Sequence, residues 1–260
     1  MTLNDLSGKA FTKLSKSVWI TQKLLAWSKI QALDRTSSFL VQHTPTRKKR
    51  MSSPTNELQP IDETRIKLIE LLTQKHQLVF DPNMQNGGHL AAAAMCDRLF
   101  FGIAATQTIC DQATQRFSAY LKNAHKLMNL EDRPQALSYM SKNSMDCILT
   151  ELPRFDFKGH QDGYAAHLAV FKKHLEVYVS ILRPGAYMAL VVSDQRYQDQ
   201  YYCRHADIMQ LIHAIHSLKL QGLINLIRDS QALKAYGYPS TYVPNIINQF
   251  VIISRKNPAS

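Results

Sequence analysis

From residue 61 onward the chain alternates short apolar runs with longer stretches whose apolar residues recur three and four apart. Ile66, Leu68, Ile69, Leu71 and Leu72 follow the helical spacing, with Asp62 placed to cap the first turn. The run 78–81, Leu-Val-Phe-Asp, combines β-branched and aromatic residues and ends on an acid, which predicts a strand. A glycine pair, Gly87 and Gly88, separates it from an alanine-rich helix over 90–95. The same pattern predicts strands at 99–103, 126–130, 145–150, 187–192, 220–227 and 246–254, and helices at 109–121, 165–182 and 206–215. The helix 165–182 carries Leu168, Phe171, Leu175, Tyr178, Val179 and Leu182 on one stripe and is stopped by Arg183-Pro184-Gly185. Asp194 follows the strand 187–192, either at the crevice or as a cap for the next loop. Strand and helix in alternation predict an α/β fold: a mostly parallel sheet with helices on both faces and the last strand inserted antiparallel. In such a sheet the turn after 78–81 lies at the carboxyl edge, where a helix N-terminus and bare amides can meet a ligand.

Residues 1–60 break this pattern. They are polar and weakly periodic, with one short amphipathic helix candidate around Val18, Trp19, Leu24, Leu25, Trp27 and Ile30. Ten lysines and arginines stand there against three acids, so the first quarter supplies seven of the net +11 charges. Arg47, Lys48, Lys49 and Arg50, followed by serines and prolines, read as a mobile basic arm suited to phosphates or to nuclear import. The chain therefore divides into a basic extension, 1–60, and an α/β domain, 61–260. A polyanionic partner is expected, against the plainer reading of a solvated tail.

An apolar fraction of 45% and a mean hydropathy of -0.24 describe a folded domain. No run approaches the roughly 18 to 20 apolar residues of a membrane helix. The N-terminus lacks the apolar core of a signal peptide, so the expected location is the cytoplasm, or the nucleus of a host that has one. Cys96, Cys110, Cys147 and Cys203 have no metal-ligand spacing and are expected as buried thiols; His213 and His216 have no carboxylate nearby, and no metal is expected. Tyr236, Tyr238 and Tyr242 either stack on bases or anchor their Pro/Gly-rich loop.

Five segments in order carry a family likeness: Ile66 to Thr73 leading into Val79-Phe80-Asp81-Pro82; Arg98 to Ile103; Met145 to Thr150; Leu182-Arg183-Pro184-Gly185; and Tyr242-Val243-Pro244-Asn245 through Lys256, with Lys16-Ser17-Val18-Trp19 as an upstream match. Together they resemble the S-adenosylmethionine-dependent DNA methyltransferases that modify exocyclic amines, of the N4-cytosine and N6-adenine type. The resemblance implies the class I, Rossmann-like fold with a seven-stranded sheet, one strand of it antiparallel. It also implies S-adenosylmethionine as cofactor, DNA as partner, and a cofactor wall made by Asp81, Pro82, Gly87, Gly88, Ala104 and Asp132.

The chain departs from the family where the chemistry lies. The family's first motif has two close-approach glycines; here Asp81, Pro82 and Gly87 remain, and Gln85 takes the first glycine's place. The acid that accepts from the ribose hydroxyls is replaced by Ala104. The catalytic motif, a polar residue, two prolines and an aromatic, is replaced by Glu151, Leu152, Pro153 and Arg154, with Phe155 one position late. The expectation is a degenerate methyltransferase-like protein, impaired or inactive. It would serve as a nucleic-acid-binding or regulatory subunit, through Arg47 to Arg50, with a protein partner or a second copy of itself. The alternative is an active enzyme in which Glu151 accepts from the amine and Arg154 or Phe155 stacks on the base.

Overall fold

The computed structural model describes residues 3–15, 17–21, 63–118, 125–128, 140–158, 163–228 and 243–258. In chain order these form α1 (Gly8–Leu14), β1 (Val18–Thr21), α2 (Glu63–Leu72), β2 (Leu78–Met84), α3 (Gly88–Met95), β3 (Leu99–Ala104), α4 (Gln107–Phe117), β4 (His125–Met128) and β5 (Met145–Glu151). They continue with α5 (Gly163–Ile181), β6 (Leu182–Val192), β7 (Gln195–Tyr197), β8 (Gln200–Tyr202), α6 (Arg204–His213), β9 (Leu218–Arg228) and β10 (Asn248–Lys256). Asp62, proposed as a helix cap, lies outside the described residues.

Eight strands form one sheet in the order β1-β9-β10-β6-β5-β2-β3-β4. The antiparallel strand is β10, paired with β6 on one side and β9 on the other, while β1, β2, β3, β4, β5 and β6 make parallel pairings. Residues along each central strand alternate between two cores, and both sets are apolar because helices cover both faces. Val79, Cys147, Leu149, Val191 and Val251 face α2, α3 and α4, whereas Phe80, Ile148, Leu190 and Ile252 face α5 and α6. The alanines of α3, Ala91, Ala92 and Ala93, are fully buried, and their small size lets that helix lie close under α2. This is the Rossmann-like α/β fold of class I methyltransferases.

Two features correct the sequence reading. The seven expected strands are joined by an eighth, β1, which pairs in parallel with β9 at the sheet edge. It comes from the segment read as an arm, and the division at residue 60 does not separate it from the domain. Trp19 is 7% exposed in the core, Asn4 Nδ2 donates to Leu71 O at 2.8 Å, and Asp5 pairs with the buried guanidinium of Arg98 at 3.0 Å. Residues 22–62, with Arg47, Lys48, Lys49 and Arg50, lie outside the described residues. The second feature is the hairpin β7–β8, which the apolar pattern did not predict; it turns at Gln198, whose φ is +51°.

Candidate functional site

The sheet's order reverses at β2, since β3 and β4 lie to one side of it and β5 to the other. The crevice outside the carboxyl ends of β2 and β5 is therefore the place where an open α/β sheet receives ligands. Both expected motifs arrive there, the glycine turn after β2 and the Glu151 segment at the end of β5.

Strand β2 carries one extra residue against β3 between Asp81 and Met84, so Pro82 sits at a bulge, where its missing N–H costs no ladder bond. Asp81 is 2% exposed, and its Oδ1 accepts from Thr150 Oγ1 at 2.7 Å and from the Asn83 amide at 3.0 Å. Its Oδ2 lies 2.6 Å from Nδ1 of His89, itself 4% exposed, and a carboxylate partner places the imidazole proton on that nitrogen. Asp81 is thus occupied by three internal donors.

Gly87 caps α3 in the left-handed conformation at φ +76°, and a Cβ there would meet Phe117 Cε2 at 2.9 Å and Ala113 Cβ at 3.0 Å. It faces α4, and its lack of a side chain is required by that packing. Gly88 has ordinary φ, but a Cβ on it would lie 2.8 Å from Nη1 of Arg65. The bare backbone admits the guanidinium of Arg65, which reaches over from α2. Arg65 Nη2 then pairs with Glu151 Oε2 at 3.1 Å, and Glu151 Oε1 accepts from Gln249 Nε2 at 3.2 Å. An ion pair thereby spans the crevice from α2 to β5 and on to β10. The cavity left among Arg65, Asp81, Asn83, Gln85, His89 and Glu151 is about 10 Å³, room for about one water molecule. A drug-sized ligand fills roughly 300 Å³ or more.

The remaining expected residues fall as follows. Gln85 is exposed at the mouth. Ala104 ends β3 and is 1% exposed, a buried methyl opposite Met84 with no acceptor for a ribose. Asp132, Tyr236, Tyr238 and Tyr242 lie outside the described residues. Glu151, Pro153 and Arg154 border an outer pocket of about 230 Å³ with Ser193, Asn248 and Gln249. Arg154 is exposed, but Phe155 is not available for stacking on a base. It is 4% exposed, its ring packs against Phe157 and His167, and its main chain is clamped by the Gln195 amide at 2.7 and 3.1 Å. Arg204, 2% exposed, fixes the same loop by donating to Pro153 O at 2.7 Å and Ser193 O at 3.1 Å; burial lowers its pKa. Asp194 is a cap: it accepts from the His205 amide at 3.1 Å and lies 2.8 Å from His205 Nδ1. Three cysteines are buried as expected, but Cys203 is exposed. Among the described residues no group of three or more His, Cys, Asp and Glu is placed to hold a metal.

Sequence reasoning missed Arg65, His89, Thr150 and Gln249. His89 had a signal, being the one polar side chain in the run His-Leu-Ala-Ala-Ala-Ala that follows the glycines. Arg65 had none, because its partner lies 86 residues away.

This geometry defines a protein with a class I methyltransferase fold whose ligand crevice is crossed by its own side chains. No family model matches the chain, and no curated protein matches its sequence. Solved methyltransferases do share the fold. TrmN from Thermus thermophilus superposes with a TM-score of 0.51 at 12% identity, over 75% of this chain and 47% of its own, so the chain spans about half of TrmN. A protein from Clostridium thermocellum, described as an rRNA methylase candidate, gives 0.50 at 13% identity, over 74% of this chain and 95% of its own.

Proposed function

We propose that this chain is a methyltransferase-fold protein that transfers no methyl group and acts as a nucleic-acid-binding or partner subunit. The observation that carries the proposal is the Arg65–Glu151 pair over Gly88, which leaves about 10 Å³ where the methionine part of S-adenosylmethionine belongs in the family. The cofactor does not fit the residues present. Its ribose would face the methyl of Ala104, the glycine floor is taken by Arg65, and Asp81 already accepts from three donors. The presumed catalytic positions do not replace this loss, since the Glu151 carboxylate is committed to Arg65 and Gln249 and Phe155 is packed inward.

Net charge supports the binding role. A balance of +11, with seven charges in the first quarter, favours a polyanion, and binding to phosphates releases counterions. DNA is the partner implied by the sequence resemblance. The description of the Clostridium thermocellum neighbour concerns rRNA, which makes RNA the second partner to test. The full chain incubated with labelled S-adenosylmethionine and a mixture of DNA and RNA is expected to transfer no label. Fluorescence anisotropy on the same DNA and RNA is expected to show an affinity that falls steeply between low and physiological salt. Replacing Arg47, Lys48, Lys49 and Arg50 by alanine should weaken binding to all sequences alike. Label transfer, or binding indifferent to salt, would refute the reading.

A further inference from the structure

Two cavities meet at Glu151. Gln85 and Glu151 line both the inner space of about 10 Å³ and the outer pocket of about 230 Å³. Gln85 is exposed at the mouth, which leaves the Glu151 side chain as the partition. The main chain on either side of it is fixed: Glu151 O accepts from Asn83 Nδ2 at 2.9 Å, and the Leu152 amide donates to Val191 O at 2.8 Å. The carboxylate itself is held by two side chains, Arg65 and Gln249. Neither member of the ion pair is sealed from water, with side-chain exposures of 18% and 25%, so solvent weakens their attraction. A rotation of Glu151 about its own side-chain bonds therefore opens the partition without moving the sheet.

We propose that the Arg65–Glu151 pair is an autoinhibitory latch. The Glu151 carboxylate stands where the carboxylate of a ligand would meet Arg65 above Gly88. Swinging it away joins the two cavities into one cleft for a carboxylate-bearing small molecule of nucleoside size. The inference rests on the closed-crevice reading above. It goes beyond that reading in assigning the closure to one member of the pair, Glu151, the two glycines of the turn being still in place.

The latch makes the two members of the pair unequal. Glu151→Ala opens the partition and frees the cation. Arg65→Ala also opens space, but it removes the cation and leaves Glu151 to repel a carboxylate. S-adenosylhomocysteine is the probe, because it carries a carboxylate on a nucleoside, and adenosine is the control without one. Calorimetric titration of the full chain and of each variant, with melting curves to confirm folding, reads the outcome. The latch predicts at least a tenfold gain in S-adenosylhomocysteine affinity for Glu151→Ala, no gain for Arg65→Ala, and no gain for adenosine in either. Glu151→Gln, equal in size and uncharged, should gain in the same direction and serves if the alanine variant does not fold. An unaltered chain that stays closed while both Glu151 variants also fail to bind overturns the latch and leaves the closed crevice standing. An equal gain in Arg65→Ala overturns it too, since space alone would then explain the closure. Micromolar binding by the unaltered chain overturns the closed crevice itself and the latch with it.

Discussion

Asp81 is the residue whose role the structure changes most, from a cofactor-wall acid to the centre of a buried network, and Asp81→Ala tests the change. The substitution removes the acceptor for two side chains that have little access to water, Thr150 at 0% and His89 at 4% exposure. A third donor, the main-chain amide of Asn83, belongs to a half-buried residue and is left out of the sum. A buried donor left unsatisfied costs about 1 to 3 kcal/mol, so the two side chains together cost about 2 to 6 kcal/mol. Relief from burying the carboxylate offsets part of this and places the expected loss in the lower half of that range. In a domain of this size each kcal/mol lowers the melting temperature by about 2 to 4 °C, which gives a fall on the order of 10 °C. Asp81→Asn keeps an acceptor for Thr150 and should fall less. Thr150→Val, which removes one bond to a charged acceptor, should cost about 1.5 to 3 kcal/mol and be strongly non-additive with Asp81→Ala. Thermal and urea unfolding of the parent, the three single variants and the Asp81→Ala/Thr150→Val double variant supply the numbers. A melting temperature within about 2 °C of the parent for Asp81→Ala, under a scale of 2 to 4 °C per kcal/mol, would show that the network does not hold the crevice floor and would refute the assignment.

Three further outcomes follow from other parts of the fold. Gly87→Ala forces a non-glycine residue to φ +76° and drives its Cβ to 2.9 Å from Phe117, whereas Gly163→Ala has a similar φ of +75° and meets nothing within 4 Å. The first should lose about 2 to 4 kcal/mol, from the left-handed backbone plus overpacking, and the second about 1 to 2, as read by urea unfolding. Trp19→Ala should cost about 3 kcal/mol or more, as loss of a buried aromatic does, if β1 and the residues before it belong to the domain; a change below about 0.5 kcal/mol would return them to the status of a free arm. Burial raises the Cys147 thiol from its ordinary value of 9.0 to about 12, so the folded chain holds that proton where the unfolded chain gives it up. That contribution is complete below pH 9.0 and is lost as the pH rises toward about 12, so Cys147→Ala should show a shallower alkaline fall in stability than the parent.

The central sheet was legible because its strands are buried on both faces and read as unbroken apolar runs, as in Cys147-Ile148-Leu149 and Ala189-Leu190-Val191-Val192. Their alternation with helices followed from the helical stripes between them, but β6 starts at Leu182 and takes in Arg183-Pro184-Gly185, which reads in sequence as a helix stop. Strand β1 was hidden by its four-residue length and its polar flanks, and it forms by adding to an edge that β9 provides. The β7–β8 hairpin was hidden because its turn residue, Gln198, takes a positive φ with no glycine to announce it. At the candidate site the changed positions Gln85, Ala104 and Glu151 to Arg154 were visible against the family pattern. What replaced the ligand was not, because Arg65 reads in sequence as one more polar residue on an amphipathic helix. Its pairing across the crevice depends on the three-dimensional meeting of α2 with β5. Phe155 failed in the opposite sense: an aromatic close to the motif suggested stacking, but Phe157 and His167 supply a pocket that buries it.

Calorimetric titration of S-adenosylmethionine into the full, unaltered chain tests the central claim most directly, because it asks only whether the crevice between β2 and β5 has room for the cofactor of its fold. With Arg65 on Gly88 and about 10 Å³ remaining, the expected result is no saturable heat up to millimolar cofactor, in a sample whose melting curve shows it folded. Saturable binding at one cofactor per chain in the micromolar range would contradict the account.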